Sequence, residues 1–173
     1  TFDDLVACGR ALVDDGVAGV DGAGRPRVAI RGGSAGGLLV GAALNRAPEQ
    51  WAAVVAEVPF VDALNTILDP TLPLTVIEGE EWGNPVESAE IFDLMASYAP
   101  YENVPEQPLP PVLATGGLHD PRVGYWEPAK WVARLRDRAQ GGPFLLKTEL
   151  GAGHGGPSGR YDAWRDEALV LAF

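Results

Sequence analysis

The sequence predicts an α/β fold in which helices flank a parallel β-sheet. Two observations predict it. Short runs of β-branched and apolar residues alternate with longer segments of helical periodicity, and the 22 glycines and 15 prolines fall between these segments as turns. Such an alternation is typical of a parallel sheet covered on both faces, and sheets of this kind bind ligands at the carboxyl ends of their strands.

The first half of the chain begins with a predicted helix over 3–15. Its apolar residues recur at helical spacing, and Gly16 stands where a helix ends. Thr1 and Asp4 are expected to cap its start. β-Branched or near-continuous apolar runs then mark two strands on either side of a second helix. These elements are a strand over 27–31, a helix over 38–46 and a strand over 51–58.

The second half opens with residues 59–85, which four prolines interrupt and which are expected to be irregular. A helix is then predicted to run to Tyr98, with Asn84 as its cap and Pro85 in its first position. The last elements again alternate strand and helix. They are a strand over 111–115, a helix around 126–135, a strand over 144–150 and a helix over 161–173.

The composition narrows the possible functions. A formal net charge of −11 opposes binding to nucleic-acid phosphates, and no apolar run reaches the ~18 residues of a membrane span. Cys8, the only cysteine, stands among apolar residues, where a buried thiol is expected, and it allows no internal disulfide. A reducing, cytoplasmic location fits this usage. Two histidines and one remote cysteine lack the spacing of metal ligands, so neither a metal nor another cofactor is expected.

The segment Gly32–Gly36 matches the pattern Gly-x-Ser-x-Gly between a predicted strand and a predicted helix, which is typical of the nucleophile elbow of α/β-hydrolases. The sharp turn strains the serine and requires small neighbours. The N–H of Ala35, at the start of the following helix, is placed to stabilise an oxyanion. A structural glycine-rich turn or a phosphate-binding loop is the alternative. The full pattern in this position favours Ser34 as a nucleophile.

A serine nucleophile needs a base, and the chain has two histidines. His154 lies in a glycine-rich loop after the last predicted strand, whereas His119 directly precedes Asp120 after the third. In α/β-hydrolases the acid precedes the base in the chain, which favours Asp120 as the acid and His154 as the base. His119 is expected to be a structural neighbour, and Asp62 and Asp69 fall in the wrong part of the order.

Several stretches along nearly the whole chain resemble one known family. They are Arg31–Gly37, Val58–Asp62, Glu81–Pro85, Ser97–Tyr101, Gly117–Asp120, Tyr125–Trp131 and Gly153–Gly156. Together they resemble the oligopeptidase B (protease II) branch of the prolyl oligopeptidase family. This resemblance implies a serine peptidase that cleaves short peptides after Arg or Lys through an acyl-enzyme.

The resemblance also implies an N-terminal β-propeller that excludes large proteins, and 173 residues leave no room for it. About half of the strands of an α/β-hydrolase are predicted. We therefore expect 1–173 to be the C-terminal part of the catalytic domain of a longer enzyme. The family's second oxyanion donor is a tyrosine upstream of the serine, but all four tyrosines follow Ser34. The fragment alone is expected to be impaired, because losing one such donor costs roughly 10²–10³ in turnover.

Specificity is implied by the acidic loop before Trp82. In the family, acidic residues of this loop bind the basic side chain ahead of the cleaved bond, and the matching positions are Glu78 and Glu80. A guanidinium pairs well with one or two carboxylates, although a solvated acidic loop is the alternative in a chain of this charge. Arg122 resembles the family position that holds a substrate carbonyl.

Two other functions stay open at this point. One is a prolyl or acylaminoacyl peptidase of the same family, or an esterase, and the other is a catalytically inactive fragment. The acidic loop favours the basic preference, because a pocket for proline or an apolar side chain gains nothing from buried carboxylates.

Overall fold

A four-stranded parallel sheet forms the centre of the computed structural model, which describes residues 1–173. Its strands are β1 (Ala29–Gly33), β2 (Ala53–Glu57), β4 (Val112–Gly117) and β6 (Phe144–Glu149), hydrogen-bonded in the order β1-β2-β4-β6. Two short strands, β3 (Pro108–Leu109) and β5 (Gln140–Gly141), form a separate parallel pair. The predicted α/β fold with four principal strands is confirmed.

Seven α-helices accompany the sheet. They are α1 (Phe2–Asp14), α2 (Ala35–Arg46), α3 (Ala63–Ile67), α4 (Gly79–Trp82), α5 (Ala89–Tyr98), α6 (Trp126–Arg138) and α7 (Arg160–Ala172). None of them is both long enough and apolar enough to cross a membrane.

The main core lies between one face of the sheet and helices α1, α2 and α6. Val54, Val112 and Ala114 of the two central strands are fully buried there. Leu44 of α2 and Trp131 of α6 pack in the same cluster and are also fully buried. The central strands are therefore apolar along their length because both faces are covered, as their sequence predicts.

Helix α7 covers the other face more loosely, and none of its residues is buried. Alternation along the strands turns Leu113 and Leu145 towards this face, where they line a shallow space with Leu169 of α7. Ion pairs add to the attachment. Arg31 of β1 binds Glu57 and Glu167 through its guanidinium, with nitrogen–oxygen distances of 2.7–2.9 Å. Those two carboxylates hold the pKa of Arg31 above its usual range.

A second, smaller core lies at the carboxyl edge of the sheet, around the segment that joins β2 to β4. Phe60, Leu64 and Ile67 pack there against Met95 of α5. Trp82 packs on Phe60, with ring centroids 5.3 Å apart. This cluster fixes the chain next to Ser34 and so shapes the site described below.

The predicted start of α5 at Asn84 and Pro85 is wrong. The helix begins after Ser88, whose hydroxyl accepts the N–H of Ile91 at 3.3 Å. Asn84 instead accepts the N–H of Val86 at 3.0 Å and closes a turn. Asparagine and serine are about equally good helix caps, so the pattern alone did not distinguish the two positions.

Three further expectations need correction. Residues 59–85 are not irregular throughout, because α3 and α4 lie within them. Cys8 is exposed, since α1 turns Val6 and Gly9 towards the core and its cysteine away. Thr1 occupies the cap position of α1, but its side chain makes no capping hydrogen bond.

Candidate active site

Ser34 stands in a strained turn between β1 and α2. Its φ of 56° and ψ of −122° lie in a region that residues other than glycine rarely occupy. The turn is held by its own backbone. The Ser34 N–H donates to the carbonyl of Glu57 at 2.9 Å, and the Ser34 carbonyl accepts from the N–H groups of Gly37 at 2.8 Å and Phe60 at 3.0 Å. A strained serine in a turn that several backbone hydrogen bonds hold is typical of a nucleophile elbow.

Two of the glycines around the serine, Gly32 and Gly37, are required by close approach of neighbouring segments. A Cβ on Gly32 would lie 2.2 Å from the carbonyl oxygen of Gly36, and one on Gly37 would lie 2.3 Å from the Cβ of Pro59. Neither backbone contact could relax without moving the turn. The structure thus gives a steric reason for Gly32, the first glycine of the Gly-x-Ser-x-Gly pattern, and for Gly37 just after it, whereas a Cβ on Gly36 would meet nothing within 4 Å.

Ala35 follows Ser34 as the first residue of α2. The N–H groups of a helix's first turn have no partner within the helix, and they carry the positive end of its dipole. The Ala35 N–H is therefore available to an oxygen bound beside Ser34, and its place in an oxyanion site stays a prediction.

Asp120 and His154 are brought together although 34 positions separate them in the chain. Asp120 Oδ2 lies 2.7 Å from His154 Nδ1. The Asp120 carboxylate is completely buried, and its Oδ1 accepts the N–H groups of Arg122 at 2.8 Å and Val123 at 3.0 Å. These bonds fix the orientation of the carboxylate. Because the carboxylate binds Nδ1 of His154, Nε2 is the ring nitrogen that remains free. About a fifth of the His154 side chain is exposed.

The competing residues lie elsewhere. His119 is exposed, and its backbone N–H donates to the carbonyl of Ala152 at 3.1 Å. The buried Asp62 pairs with Lys130. Asp69 closes a turn through Thr71.

Ser34 and His154 line one cleft of about 430 Å³ at the carboxyl edge of the sheet. Val58 also lines it and has a φ of 41°, an unusual conformation for a β-branched residue. The only non-glycine residues with positive φ in the chain are therefore two lining residues of this cleft. The sequence motif that contains Val58 gave no signal of this strain.

A second, smaller pocket of about 90 Å³ is also lined by Ser34. Glu78 and Arg122, two of the predicted binding residues, line it together with Phe60 and Trp82. The Trp82 indole N–H donates to Glu78 Oε2 at 2.9 Å and so orients that carboxylate.

The structure places the predicted Glu80 differently. Glu80 is exposed and does not line the small pocket, whereas Glu81 does. The cause is the short helix α4, in which residues three apart share a face and Glu78 and Glu81 therefore lie on the same side. The sequence predicts an irregular segment here, and without a helical phase it does not distinguish the two glutamates.

No group of three or more histidine, cysteine or carboxylate side chains in the structure has the arrangement of a metal site. The chemistry available at this edge is that of a serine, an imidazole and a buried carboxylate beside an acidic pocket.

A strained serine at a strand–helix turn, followed in the chain by a carboxylate and a histidine that meet at the same sheet edge, defines the class of α/β-hydrolases. Within that class, the pattern of the prolyl oligopeptidase family matches residues 1–173. The chain belongs to this family.

Individual relatives are similar over the whole chain. Dipeptidyl aminopeptidase BI from Pseudoxanthomonas mexicana is 48% identical and Protease 2 from Moraxella lacunata is 45% identical, each over 100% of this chain. The solved structure of oligopeptidase B from Leishmania major, at 42% identity, superposes with a TM-score of 0.93 over 100% of this chain and 23% of its own. The chain spans about a quarter of the curated relatives' length, 23% and 24%.

Proposed function

We propose that this chain supplies the catalytic residues of a serine peptidase that hydrolyses short peptides after Arg or Lys. The observation that carries the proposal is the Asp120–His154 pair, at 2.7 Å, beside the strained Ser34. Membership of the prolyl oligopeptidase family supports a peptide as the substrate.

In the first step, the Ser34 hydroxyl oxygen attacks the carbonyl carbon of the scissile bond while His154 Nε2 takes its proton. The carbonyl oxygen becomes an oxyanion beside the Ala35 N–H. Asp120 accepts the Nδ1–H of the imidazole and stabilises its charged form. The amine then leaves with the proton from His154, and the acyl group stays on Ser34.

In the second step, a water molecule gives a proton to His154 Nε2 and its oxygen attacks the acyl carbon. The bond to Ser34 breaks, the proton returns to the serine oxygen, and the new carboxylic acid leaves. His154 thus acts as base and then as acid in both halves of the reaction, for which Nε2, the ring nitrogen not bound to Asp120, is suited.

The preference for a basic side chain rests on the small pocket beside Ser34. Glu78 is half-buried there, its orientation fixed by Trp82, and aromatic rings form the adjoining wall. A partly desolvated carboxylate attracts a guanidinium or ammonium strongly and repels an acidic side chain. Arg122 lines the same pocket, where its guanidinium is a donor for a substrate carbonyl, as the family resemblance implies.

The test is kcat/KM of the full-length protein that contains these residues, on two reporter peptides with Arg or Leu before the scissile bond. We expect Arg to exceed Leu by about a hundredfold, the order of one or two charge-assisted hydrogen bonds, and Ser34→Ala to abolish cleavage. Equal cleavage of both peptides would contradict the proposed preference for a basic side chain but not the role of Ser34 as nucleophile. If Ser34→Ala cleaves the peptides as fast as the parent, the proposed serine-peptidase mechanism is wrong.

A matched set of variants locates the acidic pocket. Glu78→Gln is expected to lower kcat/KM for the Arg peptide by about 10–100-fold and to leave the Leu peptide nearly unchanged. The family resemblance implies Glu80 as the second carboxylate that binds the basic side chain, whereas in the structure Glu81 lines the pocket. Comparing Glu80→Gln with Glu81→Gln tests which of the two it is. The variant with the larger loss on the Arg peptide identifies the second carboxylate.

A further inference from the structure

A buried carboxylate lies behind the small pocket and takes no part in the chemistry proposed above. Glu127, in the first turn of α6, is only 1% exposed. Its Oε2 accepts the backbone N–H of Asp62 at 3.0 Å, and its Oε1 accepts the hydroxyl of Thr66 at 2.7 Å. The two oxygens of one side chain therefore tie α6 to both ends of the short helix α3.

The contacts continue from Thr66 into the pocket. Thr66 lines the pocket, and its carbonyl accepts the hydroxyl of Thr75, another lining residue, at 2.9 Å. Glu78 stands three residues further on, and its N–H donates to Leu74 at 2.8 Å. A continuous path of hydrogen bonds and short backbone turns thus leads from Glu127 to the carboxylate that faces the substrate's basic side chain in the proposed function.

The charged groups around Glu127 are few. Asp62 is buried next to it and pairs with Lys130, Glu102 lies beyond Asn65, and Arg134 stacks on the face of Tyr101. Burial raises the pKa of Glu127 to about 7, and the charge of Asp62 adds to the rise, although the hydrogen bonds from Thr66 and Asp62 oppose it. Glu127 therefore changes its charge in the neutral range.

The two protonation states differ in what they can accept. An ionised carboxylate accepts both hydrogen bonds at once, whereas the protonated acid must donate from one oxygen. The Asp62 N–H is a fixed donor, so the proton has to point towards Thr66, whose hydroxyl must then turn away from its present donor orientation. Protonation consequently disturbs the side of the network that faces the pocket.

We propose that ionised Glu127 is a positioning residue for the small pocket, holding Thr66 and the segment up to Glu78 in the geometry that binds a cationic side chain. This inference rests on the proposed function, because it assigns the pocket to a basic side chain. Glu127 does not itself touch the substrate.

The test measures binding directly, so that it is independent of the proton transfers at His154. The probe is p-aminobenzamidine, a fluorescent guanidinium analogue, titrated into the full-length protein carrying Ser34→Ala. We expect Glu127→Gln to weaken binding about tenfold at pH 8.5, the loss of one ordinary hydrogen bond. Binding to the Glu127 form should strengthen as the pH rises through about 7, whereas the Gln variant should show no such rise.

Two further variants complete the design. Thr66→Val removes the hydroxyl that Glu127 holds, and combining it with Glu127→Gln should weaken binding no more than Thr66→Val alone. Glu106→Gln is the matched control, since Glu106 is an exposed partner of Arg138 far from the pocket, and it should bind as the parent does. If Glu127→Gln fails to fold, Thr66→Val carries the same comparison.

The outcomes are distinct. Unchanged binding in Glu127→Gln, additive losses in the double variant, or the same pH dependence with and without Glu127 would each overturn the positioning role and leave the basic pocket intact. If the probe does not bind to the protein that retains Glu127, the small pocket does not bind a cationic side chain, and the positioning role of Glu127 falls with that claim. Faster amide hydrogen exchange over residues 62–78 in Glu127→Gln at pH 8.5 is the independent structural sign expected of the role.

Discussion

Glu127 should make the stability of this domain depend on pH in the neutral range. The usual pKa of a glutamate is 4.5, and burial raises that of Glu127 to about 7 in the folded state. The folded state therefore binds the proton more tightly than the unfolded chain does. Stability from this group is complete below about pH 4.5 and is lost as the pH rises to about 7.

The expected size follows from the two pKa values. At about 1.36 kcal/mol for each pH unit, the loss between the two values is about 3 kcal/mol. Glutamine is uncharged at every pH, so Glu127→Gln should lack this loss. In a cooperative unit of about 150–250 residues, about 3 kcal/mol corresponds to roughly 6–12 °C in thermal midpoint, and a larger unit unfolding in the full-length protein shifts by less.

The assay compares thermal midpoints of the full-length parent and Glu127→Gln at each pH from 5 to 8 by scanning calorimetry. Taking the difference at the same pH removes the contribution of groups that both proteins share. We expect the thermal midpoint of the variant to rise relative to that of the parent from pH 5 to about 7 and the difference to level off above it, with Glu106→Gln showing no trend. A difference between Glu127→Gln and the parent that stays flat from pH 5 to 8 would refute the reasoning, because it would mean that Glu127 keeps an ordinary pKa in the folded protein.

Three other perturbations test the site and the core. Asp120→Asn should lower kcat about 10⁴-fold with little change in KM, because the imidazole loses the partner that sets its tautomer; steady-state kinetics and an unchanged circular dichroism spectrum check this. Gly32→Ala should cost at least about a hundredfold in kcat on the same assay, since its Cβ would lie 2.2 Å from the Gly36 carbonyl and displace the turn that holds Ser34. Leu44→Ala should lower the free energy of unfolding by about 2–5 kcal/mol, measured by urea denaturation with activity per folded molecule retained, because Leu44 is fully buried in the main core.

The features that the sequence predicted well are those whose cause is local. The strands are runs of apolar residues, and the elbow around Ser34 needs small residues within a few positions of the serine. The choice of Asp120 and His154 used the order of acid and base along the chain that α/β-hydrolases follow, so it could be made before their contact was known. Each of these inferences used residues close together in the chain or a general rule of the fold.

The features that it predicted badly depend on packing between distant segments. Ser88 rather than Asn84 caps α5, although both residues suit the position. The choice between Glu80 and Glu81 depends on a single helical turn in a segment with no periodic pattern. The strain at Val58 arises directly after the end of β2. The residue type valine does not indicate a positive φ, so the sequence could not predict it.

Glu127 is the extreme case, because in the sequence it is an ordinary charged residue near a helix start. Its burial and its contacts with Asp62 and Thr66 arise only in the folded chain, and its effect on the pocket follows from a threonine 61 positions away. Ionisation of Glu127 has opposite effects on the stability of the folded protein and on the orientation of the Thr66 hydroxyl. The ionised carboxylate is costly to bury, yet only that form accepts both hydrogen bonds and keeps the Thr66 hydroxyl as a donor. Glu127→Gln should therefore be more stable than the parent at pH 8 while binding a cation less well. A residue with only a structural role would lose stability and binding together, so the opposite signs of the two effects are the evidence that would separate the roles.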